Sequence, residues 1–164
     1  MPARNAHVSS APTLAASGIR DVDFGPGVKV VEPVNLYECT IAEGCFIGPF
    51  VEIQKGVVVG ARTKVQSHSL ICELVSIGQD CFVGHGVMFV NDLFEKGGPA
   101  CGERSLWRET HVGDRVSIGS NATILPVRIC SDVVIGAGAV VTRDIDAPGV
   151  YAGAPARRLR GAAR

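Results

Sequence analysis

Residues Ile41–Phe89 read IAEGCFIGPFVEIQKGVVVGARTKVQSHSLICELVSIGQDCFVGHGVMF. Stepping by six from Ile41 meets Ile47, Ile53, Val59, Val65, Ile71, Ile77, Val83 and Phe89, every one apolar. Four residues beyond each of the first eight stands a small side chain: Cys45, Val51, Val57, Thr63, Ser69, Val75, Cys81 and Val87. Alternate residues of a strand share a face, so each small residue and the large aliphatic two positions later point the same way, inward. Glycine often follows the aliphatic, as at Gly48, Gly60, Gly78 and Gly84. The pattern predicts a sharp corner there, with glycine supplying a left-handed backbone. Short strands alternating with corners make a flat-sided solenoid, whose coils must stack because one turn cannot bury its own inner face.

The period returns further on. Val112, Ile118 and Ile124 carry it, a five-residue step leads to Ile129, and Ile135 and Val141 follow. Between the two runs lies NDLFEKGGPACGERSLWRET, Asn91–Thr110, which contains the only tryptophan, Trp107. A loop this long inside a regular repeat is usually functional. It is expected to be a substrate-binding arm at about residues 91–110.

Composition removes several classes. The 164 residues carry 16 basic and 16 acidic side chains, so the basic surplus of a nucleic-acid-binding protein is missing. No run of 18 apolar residues offers a membrane helix. The first 27 residues lack a compact apolar stretch of the secretory kind, which points to a cytoplasmic protein. The six cysteines, Cys39, Cys45, Cys72, Cys81, Cys101 and Cys130, form no C-x-x-C pair, so free thiols are expected and no metal site. Cys45 and Cys81 fall in inward slots and read as core atoms, and Cys101 reads as the exposed thiol of the arm.

The repeats, together with the closing segment VIGAGAVVTRDIDAPGVYAGAPARRLR (Val134–Arg160), resemble the hexapeptide-repeat acyltransferases. The resemblance implies an all-β, left-handed parallel β-helix. Three six-residue sides then make one triangular coil, and positions about 18 apart stack. It also implies a homotrimer that takes acetyl-CoA in a groove between subunits. The domain reading is a flexible N-terminal segment over 1–27, a β-helix over 28–146, and a C-terminal segment over 147–164 packing on the helix end. Within the family the likeness is to the nucleotide-sugar N-acetyltransferases, carried by NLYECTI (Asn35–Ile41), FIGPFVEIQKGV (Phe46–Val57), VGHGVMFVND (Val83–Asp92) and IGSNATILP (Ile118–Pro126). These enzymes acetylate an amino group on a nucleotide-linked deoxysugar for surface polysaccharides.

Stacking by 18 lays His85 over Ser67, beside His68, and Asn91 over Glu73. His68, His85, Glu73 and Asn91 are therefore expected to cluster next to the arm. An imidazole titrates near neutrality and suits the base that an amine nucleophile needs, and an amide suits the oxyanion formed on the thioester carbonyl. His85 and Asn91 are the catalytic candidates. His68, Glu73, Asp92, Lys96 and Trp107 are the substrate-binding candidates. The resemblance places acetyl-CoA near Ala122 and Ala139, with Arg143, Arg157 and Arg158 toward its phosphates. His7 and His111 read as bystanders. An O-acetyltransferase acting on a sugar or small-metabolite hydroxyl is the main alternative. A structural β-helix subunit and a zinc-dependent carbonic anhydrase of the same fold are less favoured, the latter because the histidine spacings do not converge on one metal.

Overall fold

Strands of two or three residues alternate with corners from Ile19 to Val141 in the computed structural model, which describes residues 12–161. The strands stack into three parallel sheets, the faces of a left-handed triangular β-helix. The first face runs through Ile19–Arg20, Asn35–Tyr37, Glu52–Ile53, Leu70–Ile71, Met88–Phe89, Thr123–Ile124 and Val140–Val141. The second includes Thr40–Ile41, Val58–Val59, Val75–Ile77, Thr110–Val112 and Arg128–Ile129. The third includes Phe46–Ile47, Lys64–Val65, Phe82–Val83, Ser117–Ile118 and Val133–Ile135.

The hexad sets the register. Ile41 pairs with Val59 and Val59 with Ile77, while Ile47 pairs with Val65 and Val65 with Val83. Each large aliphatic thus stands directly over the next, and all of these are at most 3% exposed. Burying such a side chain stabilises the fold by about 1.5–3 kcal/mol. The arm leaves this register intact: Ile77 pairs with Val112, Val83 with Ile118 and Phe89 with Ile124 across it.

The small inward slots are all buried, and the polar ones are satisfied in one repeated way. Thr63 Oγ1 donates to the carbonyl of Gly78 at 2.9 Å and Ser69 Oγ to that of Gly84 at 2.8 Å. Cys45 Sγ points at the carbonyl of Gly60 and Cys81 Sγ at that of Gly113, each at 3.1 Å. Burial pushes the thiols of Cys39 and Cys72 up to about 11 and about 12, while Cys101 is exposed. Because a hydroxyl in these slots has an acceptor waiting, Cys45→Ser and Cys81→Ser are each expected to cost about 1 kcal/mol or less. Urea denaturation checks this, and a loss above about 2 kcal/mol would mean that the hydroxyl goes unpaired.

Two expectations are corrected here. The glycine after each aliphatic is not left-handed. Gly48, Gly60, Gly84 and Gly119 sit where coils nearly touch: a Cβ on Gly119 would lie 2.4 Å from the amide nitrogen of Ala137, and one on Gly60 2.5 Å from the carbonyl carbon of Gly78. The left-handed residue comes two positions later, as in Phe50 (φ 60°), Arg62 (59°), His68 (64°) and Asn121 (58°).

The solenoid also begins before residue 28. Ile19 pairs with Leu36, Phe24 with Ile41 and Val30 with Ile47, forming one further coil. Its large residues follow steps of five as well as six and remain partly exposed at the helix end, so the hexad does not reveal them. Residues 1–11 of the expected N-terminal segment, His7 among them, and 162–164 lie outside the described residues. At the other end Gly149–Ala152 extends the third face beside Val133–Ile135, and Arg157–Arg160 folds back on it antiparallel.

Candidate active site

The corner joining the third face to the first stacks Pro49–Phe50, Ser67–His68, His85–Gly86, Ser120–Asn121 and Ala137–Gly138 in a column along the helix axis. Backbone bonds lock it: His68 N–H donates to Pro49 O at 3.2 Å, Gly86 N–H to Ser67 O at 3.0 Å, and Asn121 N–H to His85 O at 2.8 Å. His85 is exposed. Its Nδ1 lies 2.9 Å from Ser67 Oγ, and its backbone N–H donates to Ser120 Oγ at 3.3 Å. A seryl partner at Nδ1 fixes the ring's plane and leaves Nε2 toward solvent. Asn121 folds over Gly86, with Oδ1 only 2.5 Å from where a Cβ on that glycine would stand. His68 stacks on Phe50, with centroids 4.8 Å apart and rings inclined by 27°.

The expected four-residue cluster divides between two corners. Glu73 and Asn91 stand at the far end of the first face, because a six-residue step carries the chain along a whole side of the triangle. There Asn91 Nδ2 donates to Glu73 O at 3.2 Å, as the stacking by 18 anticipated. The Glu73 side chain pairs with Arg104 of the arm, whose guanidinium also lies 5.7 Å from the centre of the Trp107 ring. Glu73 therefore docks the arm onto the solenoid.

Asp92 and Lys96 are engaged inside the arm. The Asp92 carboxylate accepts the N–H of Phe94 at 2.9 Å and of Ala100 at 2.7 Å, and Lys96 meets Glu103 at 3.3 Å.

Of the cofactor candidates, Arg143, Arg157 and Arg158 do come together. They line a cavity of about 200 Å³ with Tyr151 and Ala156. The side chains of Ala122 and Ala139 lie in the core of the later coils. Both are fully buried, and their N–H groups are spent on Gly119 O at 3.3 Å and Gly136 O at 3.2 Å.

His111 is no bystander in its hydrogen bonding. Its Nδ1 lies 2.8 Å from Ser76 Oγ and its Nε2 3.0 Å from Glu109 Oε2, beside a cleft of about 370 Å³ at the base of the arm. Sequence reading missed it because Ser76 and His111 are 35 residues apart across the arm. Among the described residues no group of three or more His, Cys, Asp or Glu side chains is placed to hold a metal ion. No helix among them is long and apolar enough to cross a membrane.

Two family models match the chain: a bacterial transferase hexapeptide of six repeats over residues 38–73, and a hexapeptide repeat of succinyl-transferase over residues 110–143. Among curated proteins, the bifunctional protein GlmU of Cellvibrio japonicus is 35% identical over 77% of this chain and 24% of its own length. The corresponding protein of Sphingopyxis alaskensis is 29% identical over 76% of this chain and 31% of its own. The chain thus spans about a quarter to a third of these relatives. Among solved structures, a galactoside acetyltransferase in complex with coenzyme A superposes with a TM-score of 0.64 at 26% identity, over 75% of this chain and 64% of that one. A perosamine N-acetyltransferase mutant from Caulobacter crescentus, in complex with CoA and GDP-perosamine, does so with a TM-score of 0.59 at 20% identity, over 84% and 53%.

Proposed function

The chain belongs to the hexapeptide-repeat family, and from that premise we propose that it transfers an acetyl group from acetyl-CoA to the amino group of a nucleotide-linked amino deoxysugar. The observation that carries this reading is His85, exposed on a corner column and fixed at Nδ1 by Ser67. With Nδ1–H donating to Ser67 Oγ, Nε2 accepts a proton. The sugar amine attacks the thioester carbonyl, Nε2 takes the proton that the nitrogen loses, and a tetrahedral oxyanion forms. Its collapse re-forms the carbonyl and expels the CoA sulfur, which takes the proton back from the imidazolium. The products are the acetamido sugar and free CoA.

The cavity of Arg143, Arg157 and Arg158 supports a cofactor phosphate site, since guanidinium forks match phosphate oxygens. Asn91 stands at the adjacent corner of its own chain. It joins His85 around one acetyl group when copies pack side by side, which is the homotrimer we propose, with acetyl-CoA between subunits. Sedimentation at three times the mass of one chain is the expected result, and a monomer at micromolar concentration would remove this arrangement.

The functional test is release of CoA thiol from acetyl-CoA against nucleotide-linked amino sugars, free amino sugars and simple sugars, with the product's added acetyl located by mass spectrometry. Turnover confined to nucleotide-linked amines supports the reading. Turnover on hydroxyls alone supports the O-acetyltransferase alternative, which the likeness to the galactoside acetyltransferase favours. Absence of turnover with every acceptor would overturn both.

A further inference from the structure

We propose that Phe50, backed by His68, forms the platform on which the base of a nucleoside diphosphate stacks. The proposal rests on the reading of His85 as the place where the sugar amine sits, and it adds where the other end of that substrate goes.

Phe50 is 57% exposed although it is a large apolar ring on a solenoid whose other large rings are mostly better covered. It stands at a left-handed corner position that the later coils give to His68, Gly86, Asn121 and Gly138. A bulky side chain there costs about 1 kcal/mol relative to glycine. No core contact repays that cost, because the ring faces outward. One ring face is covered by His68 at 4.8 Å. The ring also borders a cavity of about 280 Å³, whose apolar wall is Pro33, Val34 and Phe50 and whose polar rim is Asn35 and Glu52. An aromatic wall with hydrogen-bonding groups at the rim suits a flat heteroaromatic ring, which stacks by its face and presents polar atoms at its edge. The cavity is too small for a helix or a strand of a protein partner.

Position along the column gives the substrate its direction. Phe50, His68 and His85 lie on three successive coils of one corner, and coils are about 4.8 Å apart. Phe50 is thus roughly 10 Å from His85 along the axis. The Pro33–Asn35 wall of the cavity belongs to the coil before Phe50, so a base seated there lies roughly 14 Å from His85 along the axis, a span that the sugar ring, two phosphates and a ribose bridge. His68 lies between, where its ring N–H can donate to the phosphate-bearing part of the ligand.

The test is calorimetric titration of the full chain with UDP and GDP, with ribose 5-phosphate as the ligand that keeps a phosphate and lacks a base. Wild type is expected to bind at least one nucleotide and not ribose 5-phosphate. Phe50→Asn keeps a residue that tolerates the left-handed backbone, as Asn121 does in the same column. It is expected to weaken nucleotide binding by about tenfold or more while leaving acetyl-CoA affinity unchanged. Phe50→Tyr is expected to retain binding, and His85→Ala is expected to leave nucleotide affinity intact. If Phe50→Asn binds the nucleotide as wild type does, the platform is wrong and the transfer reading stands. If wild type binds no nucleotide and acetylates only free sugars, the nucleotide-linked substrate and the platform fall together. If Phe50→Asn instead changes the sedimentation coefficient, the ring packs between copies of the chain and the base site is overturned.

Discussion

His85→Ala is expected to lower kcat by about 100-fold or more, with KM for acetyl-CoA little changed. Removing a general base commonly costs between about 100-fold and 10,000-fold, and the geometry explains why this ring is the one at risk. His85 is exposed, and its plane is set by Ser67 at 2.9 Å. Ser67→Ala leaves the imidazole and frees its rotation, so a smaller loss in kcat is expected. His68→Ala is expected to act on KM for the acceptor, because that ring is stacked on Phe50 one coil away. Steady-state kinetics with both substrates varied separates these effects. A His85→Ala kcat within about threefold of wild type would remove the base assignment.

Gly119→Ala is expected to destabilise the fold by about 3 kcal/mol or more. The added methyl would stand 2.4 Å from Ala137 N, 2.7 Å from Gly136 C and 2.8 Å from Ala137 Cα, all of them backbone atoms. They cannot yield without stretching the ladder bond that Gly119 N–H gives to Ile135 O at 2.8 Å. A chain of this size loses roughly 2–4 °C of Tm per kcal/mol, so a fall of about 10 °C is the expected reading. Gly138→Ala is the control. That glycine is left-handed at φ 66° and has nothing within 4 Å of an added Cβ, so only about 1 kcal/mol of backbone strain is expected. Equal losses for the two variants would mean that coil spacing is not what demands glycine at 119.

The solenoid was legible because its core is one-dimensional: a residue's slot follows from its place in the hexad, and Ile41, Ile47 and Ile53 need no knowledge of distant sequence. Stacking by 18 likewise put His85 over Ser67 and Asn91 over Glu73. It failed where equivalent slots were treated as neighbouring places, since His85 and Asn91 share a slot and occupy different corners. The first coil was hidden by its five-residue steps and its exposed aliphatics. Phe50 went unremarked because an aromatic ring at a corner has no periodic signature. The docking of Glu73 by Arg104 depends on how the arm folds back, which no local pattern encodes.

The arm leaves and rejoins the solenoid beside one corner, with Asn91 O accepting from Arg108 N–H at 2.9 Å and Asp92 bridged to Trp107. Above and below it the ladder continues as if nothing intervened. The core is therefore indifferent to what the arm contains. Substitutions, insertions or whole exchanges between these two anchor pairs are expected to leave the stacking of the coils intact. The arm is free to change over evolutionary time while the scaffold that carries it stands still.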